Sequence, residues 1–371
     1  MRPRTVNPAL IVKFHPAGPW RPGPDSGAAS RVDSIFHSDT LYSAITSVMA
    51  PLGSIDEWLD ATARSAAGPA VSFSSCFPFR NETGFVVPPQ SIWPPPLSSK
   101  VRWKGARFVP LPVVDALLAG DALDEDRWTV DGASECLLAL PGPGASADGP
   151  FRIAVRSGAA VDRLGGAVAP HTSACLEFAP GAGMWCLVSF AGEAARDRWN
   201  EPLRTAIRLL GDTGLGGRRA LGWGRFEKPE FIEGSLPELI LPRACAIAPP
   251  ATPVAVAAPG EASFWEPAAA APSAPAQQAY WLLSLVAPAA ADAIEWERGS
   301  YRLVTRGGRV SSPAGSGALK KLLNMLAEGS VLVSSQPIRG AATDVAPDGF
   351  PHPVFRAGFA VAVPIPQQAP A

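Results

Sequence analysis

Residues 211–226 read GDTGLGGRRALGWGRF, with Gly214, Gly216, Gly217, Gly222 and Gly224 interleaved with Arg218, Arg219 and Arg225. Glycine lets the main chain take φ > 0 and approach a ligand closely, and the arginine fork matches phosphate. The stretch therefore points to a phosphate-bearing partner, and its surroundings decide the fold. Before it, EPLRTAIRLLGDTGLGG has helical spacing, with Leu203, Ile207 and Leu210 on one face and an end at Gly211. After it, WGRFEKPEFI leads into a strand.

Two common nucleotide motifs fail here. A dinucleotide fingerprint counted from Gly214 meets Arg219 at its sixth position, and the helix precedes the loop instead of following it. A P-loop needs Lys and then Ser/Thr where Gly217 and Arg218 stand. What remains is a glycine-rich loop between the second helix and last strand of a βαββαβ unit.

The chain opens as that unit should. ALIVKF (9–14) is a short apolar strand, followed by a Pro/Gly/Ser loop over 16–34. In HSDTLYSAITSVMAPLG, Ser38 is a good N-cap, Leu41, Ile45 and Val48 share a face, and Pro51 and Gly53 end the helix. AVSFSSCFPF (70–79) and MWCLVSF (184–190) have strand composition, and FRIAVRSGAAVDRLGG (151–166) alternates and then turns. Between 86 and 114, Lys100, Arg102 and Lys104 alternate with Val101 and Trp103, and Arg107 precedes Phe108. That fits either a projecting hairpin with one charged side or a solvated edge strand guarded by lysines.

At 371 residues two domains are expected, and 47% apolar residues suffice for their cores. From about Arg243 to Ala279 the composition falls to Ala and Pro, the signature of a linker. The expected division is an amino-terminal domain over 1–242, a linker over 243–279, a second domain over 280–366 and a tail over 367–371. In the second domain YRLVTRGGRVSS reads as a hairpin turning at Gly307-Gly308, and LNMLAEGSVLV and HPVFRAGFAVAVPIP are strand-like, with Glu328 in a turn.

The 32 Lys and Arg residues balance 33 Asp and Glu, so any nucleic-acid binding must come from local clusters. The five cysteines include no C-x-x-C pair, and nothing supports a zinc site or disulfide framework. The sequence calls for no metal and no cofactor. No apolar run reaches membrane-spanning length, and a cytoplasmic protein is expected.

GLGGRRALGWGRF resembles the glycine-rich loop of the RAMP superfamily, the ferredoxin-like RNA-binding proteins of CRISPR systems. FHSDTLYSAI near the start, VDRLGG in the middle and RGGRV…MLAEGSVL…HPVFRAGFAVAVPIP at the end narrow the resemblance to the fourth Csm-type subunit of type III-A effector complexes. It covers nearly all the chain apart from the Ala/Pro stretch. The implied fold is α+β, two tandem ferredoxin-like (RRM-like) domains with a glycine-rich loop and a projecting hairpin.

The implied function is a non-catalytic subunit in antiviral defence. It holds the 5′ repeat-derived tag of the guide RNA and docks on the large polymerase-like Csm subunit. The backbone-repeat RAMP subunit is a further partner, and the target RNA is met indirectly. Tag binding falls to the glycine-rich residues, to Arg218, Arg219 and Arg225, and to His37, Ser38 and Arg163. Trp223 is either a stacking platform for an unpaired base or a core anchor, while Phe226 is read as core. Arg156, Arg306, Arg309, Arg339 and Arg356 face RNA, the large subunit or simply solvent. Asp39 is ordinary compensation of the helix dipole. The 86–114 hairpin would be a thumb at the edge of the guide–target duplex.

The rival is a RAMP endoribonuclease that processes guide precursors with His37 as general acid or base on the RNA 2′-hydroxyl. A third possibility is a scaffold whose glycine-rich loop makes protein contacts only.

Overall fold

The computed structural model describes residues 7–23, 28–95, 103, 105–140, 148–247, 277–312 and 314–366. The amino-terminal unit runs through β1 (Asn7–Phe14), α1 (Ser38–Met49), α2 (Ile55–Ala61), β2 (Val71–Phe73), β3 (Phe77–Arg80), β4 (Thr83–Val86), β5 (Val109–Pro110) and α3 (Leu111–Leu118). It continues with β6 (Trp128–Val130), β7 (Leu137–Ala139), β8 (Phe151–Val161), β9 (Val168–Phe178), β10 (Ala182–Phe190), α4 (Glu193–Thr213), β11 (Glu230–Leu236) and α5 (Pro242–Ile247).

Its main sheet has the order β11-β1-β10-β3-β4-β5, with β2 also on β10, and its pairings are antiparallel. Successive side chains of β1 point to opposite faces, and both faces are covered. Leu10, Val12 and Phe14 pack with Leu41, Ile45, Leu203 and Ile207 from α1 and α4. Ala9, on the other face, packs with Phe77, Trp185 and Leu187, with the inserted 83–140 segment, and with Trp281 and Val363 from the second unit. This double burial explains the unbroken apolar run of ALIVKF.

α1 starts one residue earlier than expected: His37 is the N-cap and Ser38 the first helical residue. α4, expected over 201–211, begins at Glu193 and runs through Pro202. Proline inside a helix forfeits a backbone hydrogen bond. Buried Trp199, on the same face as Leu203 and Ile207, anchors the added turns in the core.

The carboxy-terminal unit holds β12 (Gln278–Leu282), β13 (Ile294–Ser300), β14 (Leu303–Arg306), β15 (Arg309–Ser312), β16 (Gly315–Leu319), β17 (Leu323–Leu326), β18 (Val331–Ser334), β19 (Gly340–Asp344), β20 (Phe355–Phe359) and β21 (Ala362–Ile365). A four-stranded sheet takes the order β13-β18-β12-β21. The hairpin expected around Gly307-Gly308 does not form. β14 pairs with β17 and β15 with β16, so the two glycines join two separate ladders. β15 turns back at once on β16, and β14 pairs with β17 beyond that hairpin, so the reversal lies downstream of the glycine pair. Residues 242–247, at the start of the expected linker, form α5, and 248–276 lie outside the described residues.

The β19–β20 hairpin lies on α1. Phe359 meets Tyr42 edge-on at 5.4 Å between centroids and 85° between planes, within the core cluster of the first unit. The two units therefore share apolar cores. Among the described residues no helix is long and apolar enough to cross a membrane.

Truncating Phe359 removes this shared packing. Phe359→Ala is expected to lower unfolding free energy by about 3–5 kcal/mol, and tryptophan signals from both units should shift to the same lower denaturant midpoint.

Candidate nucleic-acid interface

The glycine-rich bend follows α4 directly, at Gly214 with φ +82°. It is stitched to the 15–21 segment after β1. Gly217 N–H donates to Arg21 O (2.9 Å), Gly224 N–H to Pro19 O (2.9 Å) and Ala17 N–H to Arg225 O (3.0 Å). The indole of Trp20 donates to Arg225 O at 3.2 Å. Trp20 also exchanges backbone hydrogen bonds with Leu176 of β9, 3.1 and 2.7 Å long. The bend is thus fixed to the base of the β8–β9 hairpin.

These contacts account for most of the glycines from inside the chain. A Cβ at Gly214 would lie 2.6 Å from Trp223 O, at Gly216 2.5 Å from Arg21 O, and at Gly224 1.9 Å from Leu215 O. All three also have positive φ. Gly217 lies against the Arg21 side chain. Gly222 differs: its φ is +79° and its Cβ position faces open space. The amides of Gly214, Leu215, Gly217, Gly222 and Gly224 already donate within the chain. Backbone donors at these positions are therefore not free to cradle an anion, contrary to what the glycine content suggested.

The charge of the bend does face outward. Arg219 and Arg225 are exposed. Arg218, in the left-handed region at φ +63°, is half-buried and donates from Nη2 to Ser173 Oγ of β9 at 2.9 Å. Among the described residues no carboxylate pairs with these three. Trp223 is 8% exposed and Phe226 5%. Trp223 is thus largely enclosed, not an open stacking platform. Phe226 is core, edge-on to Phe14 at 4.9 Å.

His37 and Ser38, expected at the same surface, are buried at the seam between the two units. His37 is 7% exposed; its Nδ1 bonds Glu328 Oε1 at 2.6 Å and its Nε2 bonds Asp33 Oδ2 at 3.1 Å. Burial alone would lower the imidazole pKa. The charge of Glu328 and hydrogen bonds with Asp33 and Glu328 outweigh it and raise the pKa to about 9. The ring is an imidazolium between two carboxylates. Burial would raise Asp33 and Glu328, yet His37 holds both below the ordinary carboxylate range, with Arg107 assisting at Asp33. Ser38 Oγ accepts the Leu285 N–H at 3.0 Å, and Ser75 Oγ accepts the Ser38 N–H at 2.9 Å. Asp39 is no surface dipole partner. It is buried against Arg306 and Arg356 of the second unit.

The expected thumb also moves. Trp103 and residues 105–114 pack instead of projecting. Trp103 is fully buried and stacks on Trp93 at 5.2 Å and 4°, and Phe108 and Val109 are core. Arg107 donates to Ser34 Oγ (2.7 Å) and Asp33 Oδ1 (3.4 Å). Lys100, Arg102 and Lys104 lie outside the described residues. The projecting element is the β8–β9 hairpin, two 11-residue strands in continuous register from Phe151↔Phe178 to Val161↔Val168. Its signal was present as two alternating stretches flanking VDRLGG.

One hairpin face carries exposed Ile153, Val155, Val161 and Val168, while Leu164 at the tip is fully exposed. The other face carries Arg152 and Arg156, both paired with Glu177. Arg163 sits exposed in the tip turn. Strand rise puts it roughly 20 Å from Ser173, so it does not join the bend in one site. Arg21 escaped the sequence analysis. It donates from Nη2 to Ala28 O at 2.8 Å beside Gly217, and burial and the charge of Arg218 lower its pKa. Among the described residues no group of three His, Cys, Asp or Glu could hold a metal ion.

Residues 275–365 match the family model described as the CRISPR Csm4 C-terminal domain. No curated protein matches the chain in sequence. Among solved structures, a chain of a Csm3–Csm4 subcomplex in the type III-A CRISPR–Cas interference complex matches with TM-score 0.57 and 16% identity, covering 96% of this chain and 100% of that one. A chain of a Csm1–Csm4 cassette in complex with cA4 matches with TM-score 0.52 and 16% identity, covering 98% and 100%. Another, from a cassette with pppApA, gives 0.51 and 18%, covering 97% and 99%. The chain shares the mixed helix-and-sheet fold of these solved chains over nearly its full length. Residues 275–365 thus carry the Csm4 C-terminal domain match, and the whole chain shares the fold of these solved subunit chains.

Because the folded pKa of His37 lies above its unfolded value, its stabilisation is complete below about pH 6.5. It is lost as pH rises through about 9. Thermal unfolding from pH 6 to 10 should show the parent losing more stability than His37→Gln, whose curve starts lower and falls less.

Proposed function

We propose that this chain holds the repeat-derived 5′ tag of a guide RNA without cleaving it, inside a type III-A effector. Its neighbours there would be a Csm1-type large subunit and a Csm3-type backbone subunit, with target RNA met only through the guide. The observation that carries the proposal is the rigid bend with exposed Arg219 and Arg225 beside half-buried Arg218, none with a carboxylate partner among the described residues. Pinned cations on a bend that is already hydrogen-bonded suit the backbone of a single strand, which needs charge at fixed spacing more than groove readout. A subunit of near-zero net charge can do this locally.

The sheet orders support reading each unit as ferredoxin-like. In each, the first and third of four main strands are central, the fourth lies beside the first and the second beside the third. In the first unit α1 and α4 are the crossovers, whereas in the second the β19–β20 hairpin occupies one crossover. The β8–β9 hairpin takes over the role of thumb, its apolar face and Leu164 suited to wedging against a base at the guide–target duplex edge. Cytoplasmic assembly follows from this role. A nuclease reading is disfavoured because the His37 ring is enclosed and both its nitrogens are engaged by carboxylates.

Replacing Arg218, Arg219 and Arg225 together with alanine should weaken binding of tagged guide RNA at least tenfold at about 0.15 M salt. The slope of log K against log salt should fall by about 2, at roughly 0.7 per phosphate contact on a single strand. Unchanged affinity and slope would favour a protein-contact role for the bend. Metal-independent cleavage of repeat RNA that disappears in His37→Ala would establish the nuclease instead.

A further inference from the structure

The seam between the units holds a concentration of positive charge that guide binding does not use. Arg306 takes both oxygens of buried Asp39, Nε donating to Oδ2 at 3.2 Å and Nη2 to Oδ1 at 3.0 Å. Arg356 adds a bond from Nη1 to Oδ2 and one from Nη2 to Gly307 O. Its Nε is buried without an acceptor, and the residue as a whole is 7% exposed. Lys320 converges on the same place. Its N–H donates to Gly308 O at 2.9 Å, and a Cβ at Gly308 would stand 3.9 Å from Arg356 Nη2. Among the described residues no carboxylate lies within ion-pair distance of the Lys320 ammonium. Thr40, which accepts from Arg306 Nη2 at 3.2 Å, Gly308 and Lys320 are half-buried.

A partly desolvated cation without a partner is costly. Burial and the charge of Arg356 lower the Lys320 pKa against the pull of Asp39, as expected of such a group. Three cations therefore meet at one carboxylate whose oxygens are already taken, and a buried N–H nearby lacks an acceptor. An incoming anion would supply both missing partners. A carboxylate brings one charge, whereas a phosphate monoester brings close to two and three acceptor oxygens.

We propose that Lys320 and Arg356, backed by Arg306 and Asp39, form a binding site for a phosphate monoester at the seam between the two units, separate from the glycine-rich bend. The same terminal phosphate chemistry has two sources, free phosphate or a nucleotide on one hand and a phosphorylated RNA end on the other.

The test uses the full chain, with inorganic phosphate titrated against chloride at matched ionic strength and thermal unfolding as readout. Phosphate should raise the midpoint of the parent. Lys320→Met should lose that rise and, without phosphate, unfold at or above the parent temperature, because an unpaired cation has been removed. Lys321→Met, which disrupts only an exposed pair with Asp348, should keep the phosphate response. A second arm compares 5′-phosphorylated with 5′-hydroxyl RNA of one sequence. A response to the phosphorylated RNA at lower concentration than inorganic phosphate assigns the site to an RNA end, and equal potency assigns it to the free anion. Equal phosphate responses in parent and Lys320→Met would overturn the proposal. So would a response to polyglutamate peptide without one to phosphate, which would mark a contact for a protein carboxylate. Because this site uses no residue of the bend, its failure leaves the guide-binding reading intact.

Discussion

Three consecutive residues at the start of α1 tie the molecule together through charge and hydrogen bonds that are closed off from water. His37 is clasped by Asp33 and Glu328, Ser38 accepts the Leu285 N–H, and Asp39 binds Arg306 and Arg356. Breaking one member of such a buried pair strands its partner, at a cost of about 3–5 kcal/mol. This is the reason the second unit has a fixed seat on the first. The apolar contact of Phe359 with Tyr42 supplies area, and the polar contacts supply register.

That seam decides which residues at the start of α1 a ligand could reach. A histidine held between two carboxylates is poor at proton exchange with a substrate it cannot touch. With the start of α1 occupied, the glycine-rich bend offers exposed Arg219 and Arg225, and the hairpin beside it exposed Arg152, Arg156 and Arg163. The bend is rigid because its glycines admit close backbone approach within the chain, so its arginines stand on a fixed platform. The hairpin then extends the same surface outward by the length of two 11-residue strands.

Much of this was legible in the sequence because it is local. β1, the apolar faces of α1 and α4, the position of the bend between helix and strand, and strands β17, β18, β20 and β21 of the second unit follow from short-range pattern. The failures are non-local. Glu328 lies 291 residues from His37, and no spacing rule reports such a partner. Basic residues at period two around Trp103 look alike whether a segment projects or folds back, and only the stacking partner Trp93 distinguishes the cases. Gly307-Gly308 carries turn chemistry, yet the strands on either side prefer β17 and β16. A glycine-rich loop cannot announce whether its glycines serve a ligand or, as at Gly216 and Gly224, another part of the chain.

The most direct test of this division between seam and surface is crosslinking of the assembled effector, carrying its guide RNA, followed by mapping of nucleotide-bearing peptides. The account predicts crosslinks within 211–226 and along the 151–178 hairpin, with none on residues 33–40. Crosslinks on His37 to Thr40 with none on the bend would contradict it.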